Sequence, residues 1–174
     1  MQRGMNSVWQ RMIGAALLNP NAYEEVERDV DANGSALMIV IFASLAAGIG
    51  ALTSNGVRGF VATIIAALIS WVLYATVAYF IGTTIFKTSQ TRATVGELLR
   101  TLGYAQTPSL LLVFSGIFVL GGIITIVVFF WMLATTVVAL RQALDFTTGR
   151  AIGTAIVSWL IFIVPFLLIV SLTS

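Results

Sequence analysis

Cysteine and histidine are both missing from the 174 residues. Without cysteine the chain has no disulfide and no thiolate metal site. Without histidine it lacks the commonest metal ligand and the commonest general base. Charge is scarce as well. Only 9% of residues are Asp, Glu, Lys or Arg, where soluble globular domains carry about 25%. A soluble fold so poor in charge would have too little polar surface to stay in solution. The nine Lys and Arg form no basic patch, so nucleic-acid binding has no support. A Gly-rich phosphate loop, a Ser-His-Asp arrangement and a zinc-ligand spacing are all absent. No catalytic residue, cofactor or metal site is therefore expected, and the chain does not read as an enzyme.

What is present is apolar residue in long runs. Hydrophobic residues make up 59% of the chain, and the charges divide it cleanly. Runs of 26, 28 and 40 residues lie between Asp31 and Arg58, Arg58 and Lys87, and Arg100 and Arg141; another 24 residues follow Arg150. A spanning helix needs about 20 apolar residues. Single spans are expected near Ser35–Thr53, Phe60–Thr84 and Ala151–Leu172. The 40-residue run would be about 60 Å long as one helix, so it must turn back, at Ser115–Gly116 or Gly121–Gly122. That gives a third span near Leu98–Leu120, kinked or broken at Pro108, and a fourth near Gly122–Leu140. The fold class is all-α: a polytopic integral membrane bundle of five transmembrane helices plus an N-terminal amphipathic helix. Residues 1–33 form a cytoplasmic segment and 34–174 the membrane domain.

With five spans, Arg3, Arg11, Arg28, Lys87, Arg92, Arg100, Arg141 and Arg150 fall on one side and Arg58 alone on the other. This asymmetry places the N-terminus in the cytoplasm and the C-terminus outside. The first apolar residues, Met5, Val8, Trp9, Met12, Ile13, Ala16 and Leu17, follow a helical stripe rather than the continuous core of a cleaved signal. The stripe fits a helix in the headgroup layer anchored by Trp9, or one packed on the protein's own spans. Asn19-Pro20-Asn21 ends it. A second short helix follows, with Asn21 and Glu24 at capping-box spacing. It carries Glu24, Glu25, Glu27, Asp29 and Asp31 around Arg28, which fits a solvated face, a divalent cation or a basic partner. Asn33-Gly34 is the expected turn into the membrane.

Inside the spans, Ala43, Ala47 and Ala51 make a small-residue row, Ser44 and Gly48 run beside it, and Gly149 and Gly153 make a GxxxG. Such rows mark close helix packing within the chain or with another. Trp71, Trp131 and Trp159 fall well inside spans, where an indole N–H needs an acceptor. No charge lies deep in a span. Glu97 with Arg100, and Arg141 with Asp145, are spaced to pair locally. Tyr104, Gln106 and Thr107 sit beside Pro108, able to satisfy backbone groups freed by the kink or to line a small cavity.

The order of these pieces resembles a known family. An Asn-Pro break is followed by Ala22-Tyr23-Glu24-Glu25; the third span opens with Gly103-Tyr104-Ala105 and reaches Pro108; a loop with Arg141 and Arg150 precedes the last span. This is similar to the Yip family, five-span membrane proteins named as interactors of Ypt/Rab GTPases, in its compact prokaryotic form. The resemblance implies a membrane adaptor or accessory subunit in a prokaryotic plasma membrane, with the lipid bilayer and other membrane proteins, or itself, as partners. The eukaryotic members have a longer cytoplasmic N-terminal region, a departure that argues against GTPase binding here. The alternative is a small oligomeric transporter or channel. An enzyme of the bilayer would have to rely on Glu97 and Arg100, which lie at its edge.

Overall fold

The computed structural model describes the backbone of residues 2–118 and 120–173, with side chains in 7–49, 52, 56–118 and 120–163. Its described residues form α1 (Gln2–Ala16), α2 (Pro20–Arg28), α3 (Ala32–Thr84), α4 (Val95–Ala105), a 3-10 segment (Thr107–Phe114), α5 (Leu120–Ala143) and α6 (Thr148–Thr173). The chain is an all-α integral membrane protein. Among the described residues three stretches are apolar and long enough to cross a bilayer: Ala32–Ile49, Gly56–Thr84 and Leu120–Ala143.

α3 holds 53 residues, about 80 Å if straight, and it is not straight. Gly56 has φ 60° and ψ −161°, a region essentially reserved for glycine. A Cβ on Gly48 would lie 2.9 Å from the Phe60 ring and 3.3 Å from the Phe60 carbonyl oxygen. In a straight helix those residues would stand about 18 Å apart, so the chain reverses at Gly56. The first two expected spans are the two arms of one helical hairpin.

The third arm is not one α-helix. Pro108 has no N–H to return to the carbonyl of Tyr104, so α4 stops at Ala105 and the chain continues as the tighter 3-10 segment. Together they still measure roughly 30 Å along the chain, enough to cross a hydrocarbon core. α5 covers the stretch expected as the fourth span; the stretch expected as the fifth falls in α6, whose Thr148–Ile163 part is apolar but shorter than a full crossing.

α1, α2, the α3–α4 connection and the α5–α6 turn gather at one end. Contacts from Arg100 to Val26, from Gln142 to Glu24 and from Arg150 to Phe86 tie them together. Gly56 and the turn before Leu120 lie at the other end. Arg11, Arg28, Arg100, Arg141 and Arg150 thus group at the capped end.

Three local expectations are corrected. α2 is capped by Asn19, not Asn21: the Asn19 Oδ1 accepts from the Asn21 N–H at 3.1 Å, and Pro20 takes the first helical position, where its missing N–H costs nothing. Asn33-Gly34 is not a turn, because α3 already begins at Ala32. The turn is made earlier by Asp29, whose carboxylate accepts from the Asp31 N–H at 3.1 Å while its carbonyl accepts from Ala32. Asp145 does not pair with Arg141. It sits at φ 52°, with the Asp145 and Phe146 N–H groups returning to Gln142 and Arg141. That is a Schellman closure of α5, and Asp is among the few residues that tolerate its left-handed position.

Gly103 marks where α4 crosses α3 most closely. A Cβ there would meet the Ala36 Cβ at 2.9 Å and its backbone at 3.3 Å. Gly103→Ala is expected to destabilise the fold by about 1–3 kcal/mol through overpacking. Gly34→Ala, which meets nothing within 4 Å, is expected to leave stability unchanged or raise it. Thermal unfolding in mild detergent compares the two.

Candidate functional site

The chemistry-bearing residues fall into a buried polar cap at one end and a cavity midway through the spans. The cap is organised by Arg100, on α4 and only 5% exposed. Sequence spacing paired it with Glu97, but Glu97 is used elsewhere: its carboxylate accepts from the Thr94 N–H at 2.8 Å and its N–H donates to the Thr94 hydroxyl, a capping box at the start of α4. Arg100 turns the other way. Its Nε donates to the Val26 carbonyl at 3.1 Å, another nitrogen donates to the Glu27 carbonyl, and a third to the Asn33 Oδ1 at 3.3 Å. Two of these acceptors are carbonyls at the C-terminal end of α2, which have no partner inside the helix and carry the negative end of its dipole. A guanidinium, with several donors in a rigid fork, suits that position.

α1 is fastened to α2 by Arg11, which donates to Asp29 at 2.6 Å and to Glu25 at 3.4 Å. Tyr23 is fully buried and its hydroxyl donates to the Ala15 carbonyl at 3.0 Å; burial pushes its phenol well above its ordinary pKa. The hydrogen bond from Arg11 holds the Asp29 carboxyl below its usual range. Glu24 accepts from Arg28 at 3.2 Å and from Gln142 at 3.0 Å, tying α2 to α5. The acidic stretch is therefore mostly an internal fastening rather than a plain solvated face. Among the described residues no group of His, Cys, Asp or Glu is arranged to hold a metal. Glu27 and the exposed Asp31 stand outside this pairing. Burial pushes the Glu27 carboxyl up to about 7, with Asp145 and Glu97 adding repulsion.

Below the cap, the broken end of α4 has its freed groups answered one by one. The Tyr104 carbonyl, orphaned by Pro108, accepts from the Thr107 hydroxyl at 2.7 Å. The Ala105 carbonyl accepts from Thr135 on α5 at 3.0 Å. Tyr104 itself is fully buried, 2.8 Å from the Ser35 hydroxyl. Ser35 gives its proton to the Ala32 carbonyl, so Tyr104 is the donor of that pair. Trp131 donates to the Ala16 carbonyl at 2.7 Å and Trp71 to the Leu99 carbonyl at 3.2 Å. Two of the three deep indoles thus found freed or spare carbonyls; Trp159 has no acceptor among the described residues.

Beside this break lies a cavity of about 360 Å³. Ala43, Ser44 and Ala47 from one arm of α3 line it, with Ser70, Trp71 and Tyr74 from the other, Gln106 and Ser109, Thr136 from α5 and Trp159 from α6. Small residues of the first arm therefore open a space as well as packing.

A family profile described as the Yip1 domain matches residues 14–169. The chain belongs to the Yip1 domain family. No curated protein and no solved structure matches it.

In this Yip1-domain chain the residues singled out by sequence separate into groups. Tyr23, Glu24 and Glu25 belong to the cap; Gly103, Tyr104 and Pro108 form the break; Ala43, Ala47 and Gln106 line the cavity. The side chain of Ala51 lies outside the described residues. Trp9 is 62% exposed, with Ile13 and Leu17 also exposed, while Ala15 is buried and Met12 packs on the core. The N-terminal stripe thus divides between the bundle and the outside. Arg141 bonds its neighbour Gln142 at 3.1 Å. Gly153 packs against the Phe86 ring, and Gly149 has open space around it, so the GxxxG is not one packing face. Ser35, Thr135 and the partners of Arg100 were missed, because each pairing joins residues 30 or more apart in the chain.

Arg100→Met is expected to destabilise the chain by about 3 kcal/mol, since hydrogen bonds to a charged donor are each worth about 1.5–3. Arg100→Lys is not expected to restore it, because an ammonium cannot reproduce the fork. Unfolding of the three proteins in one detergent checks both. Glu27 has its folded pKa raised from 4.5 to about 7, so the folded state binds its proton more tightly than the unfolded chain. Its contribution to stability is therefore expected to fall as pH rises from 4.5 to about 7 and to stay low above. Glu27→Gln should raise the melting temperature at pH 8 and flatten that slope.

Proposed function

We propose that this Yip-family membrane protein is a non-enzymatic adaptor or accessory subunit that works by docking to other membrane proteins. The supporting observation is the second arm of α3. Gly56–Thr84 is long and apolar, with a mean hydropathy of 2.2, yet only 6% of its most apolar window is buried against the rest of the chain. Ala62 and Ala66, one turn apart, both lie on its exposed side. Small residues on an open face let a second helix approach closely. In this reading the chain crosses a prokaryotic plasma membrane five times. The capped end, which holds eight of the nine Lys and Arg and includes residues 1–33, faces the cytoplasm; residues 34–174 form the membrane domain, with the C-terminus outside. Trp9 anchors α1 at the headgroup layer. The bilayer and other membrane proteins, or a second copy, are the partners, and neither nucleic acid nor a GTPase is needed.

Purification of the tagged chain from its own membranes in mild detergent, followed by mass spectrometry, tests this. Membrane proteins in stoichiometric amount are expected, and Ala62→Phe with Ala66→Phe should release them while the melting temperature holds. A homo-oligomer without companions would leave a second copy as the partner and contradict docking to other membrane proteins. It would favour the small transporter or channel, whose support is the largely apolar cavity with its few polar groups at mid-depth.

A further inference from the structure

The cavity has a composition that docking between helices does not require. Its walls contain no Asp, Glu, Lys or Arg. It lies deep: Ser44 is about a dozen residues into α3, Gln106 as far from the start of α4 and Trp159 as far into α6. At 1.5 Å per residue each is roughly 16–18 Å from the capped end, near the middle of a core about 30 Å thick. Its volume of about 360 Å³ falls within the range of small-molecule pockets, roughly 300–1,000 Å³.

The polar groups in its walls divide by what they have left to offer. Ser44 and Ser109 give their protons to the Ile41 and Gln106 carbonyls. Trp71 gives its N–H to Leu99 and Tyr74 its O–H to Ala155. Four groups remain: the Gln106 carboxamide, the Ser70 and Thr136 hydroxyls and the Trp159 indole N–H have no hydrogen-bond partner among the described residues. Elsewhere in the spans the Thr76, Thr83, Thr84 and Thr125 hydroxyls return to the preceding turn of their own helix, while the buried Thr154 and Ser158 hydroxyls of α6, which do not line the cavity, are unpartnered as well. In hydrocarbon, an unanswered donor costs several kcal/mol. These donors call for acceptor oxygens, and an uncharged wall at this depth excludes a charged ligand. Trp71, Tyr74, Trp159 and Phe162 supply aromatic surface for a flat apolar body.

We propose that the cavity binds the uncharged, carbonyl-bearing ring of a membrane-soluble lipid, the chemistry of a quinone head. Its carbonyl oxygens accept from Gln106 and from Ser70 or Thr136, and its ring lies against Trp71 and Trp159. The tail leaves toward the lipid past Trp159, which is 53% exposed. This goes beyond the adaptor reading and does not depend on it.

The cavity tryptophans report directly, since a quinone close to an indole quenches its fluorescence. The full chain in nanodiscs is titrated with a short-chain benzoquinone. A saturable phase is expected above the linear quenching caused by partition into lipid. Gln106→Leu should weaken it about tenfold, consistent with one lost hydrogen bond. Ala47→Leu, which fills the space without touching a polar group, should abolish it. Melting of both variants shows whether they fold, and the wild-type titration stands without them. Purely linear quenching in the wild type would overturn the proposal, as would a saturable phase unchanged in both variants. Excess diacylglycerol, which has ester carbonyls but no ring, should leave the phase in place; displacement at equal concentration would overturn the assignment of a ring.

Discussion

A single guanidinium, buried where the spans meet the cap, decides how the segment before the spans is arranged. Arg100 lies at the membrane end of a 40-residue run without charge, and it must be answered or it cannot be buried. Its answer is the C-terminal end of α2 together with Asn33. α2 has only nine residues and would not persist in water alone. It is held because its orphan carbonyls are the acceptors that Arg100 requires. α1 follows through Arg11 and Tyr23, and α5 is joined through Gln142 and Glu24. The charged cap is then one packed unit with the bundle rather than a tail attached to it.

A second constraint, the missing N–H of Pro108, shapes the interior. Breaking α4 at mid-depth frees carbonyls that lipid cannot satisfy. Thr107 and Thr135 answer them, which binds the broken arm to α5. The chain continues as a thinner 3-10 segment, with Gln106 set at the break beside the small residues Ala43 and Ala47. The cavity is thus where a slim segment meets a slim face. Around it the outer arm of α3 stays almost unburied. One surface is therefore open to lipid or to another protein, while the interior holds unanswered polar groups.

Much of this was legible in the charges. The uncharged runs gave the arms of the bundle and their reversals, and the grouping of Arg and Lys anticipated the single capped end. Pro108 marked the break, and the Gly-Tyr-Ala motif around it marked the family. Pairings were legible only where they are local. Thr94 and Glu97 cap a helix three residues apart, while Arg100 bonds carbonyls more than 70 positions away, and no spacing rule reports that. Charges at i, i+3 and i, i+4 suggested ion pairs for Glu97–Arg100 and Arg141–Asp145. Capping won both times, because a helix end buried at an interface needs its backbone groups satisfied more than a half-exposed ion pair needs forming. The cavity was legible only at Gln106, whose place beside Pro108 suggested one; Ala43 and Ala47 join it with Ser70 and Trp71 only once α3 has folded back at Gly56.

The central claim is that α2 exists because Arg100 docks it. Amide hydrogen exchange of residues 22–32, with the chain in lipid nanodiscs at neutral pH, tests this most directly. Exchange slowed to the level of the α4 amides is the predicted result, since nothing within a nine-residue helix would protect it alone. Exchange at the rate of a free peptide, with the spans still protected, would show that the segment hangs loose and that Arg100 is answered by something else.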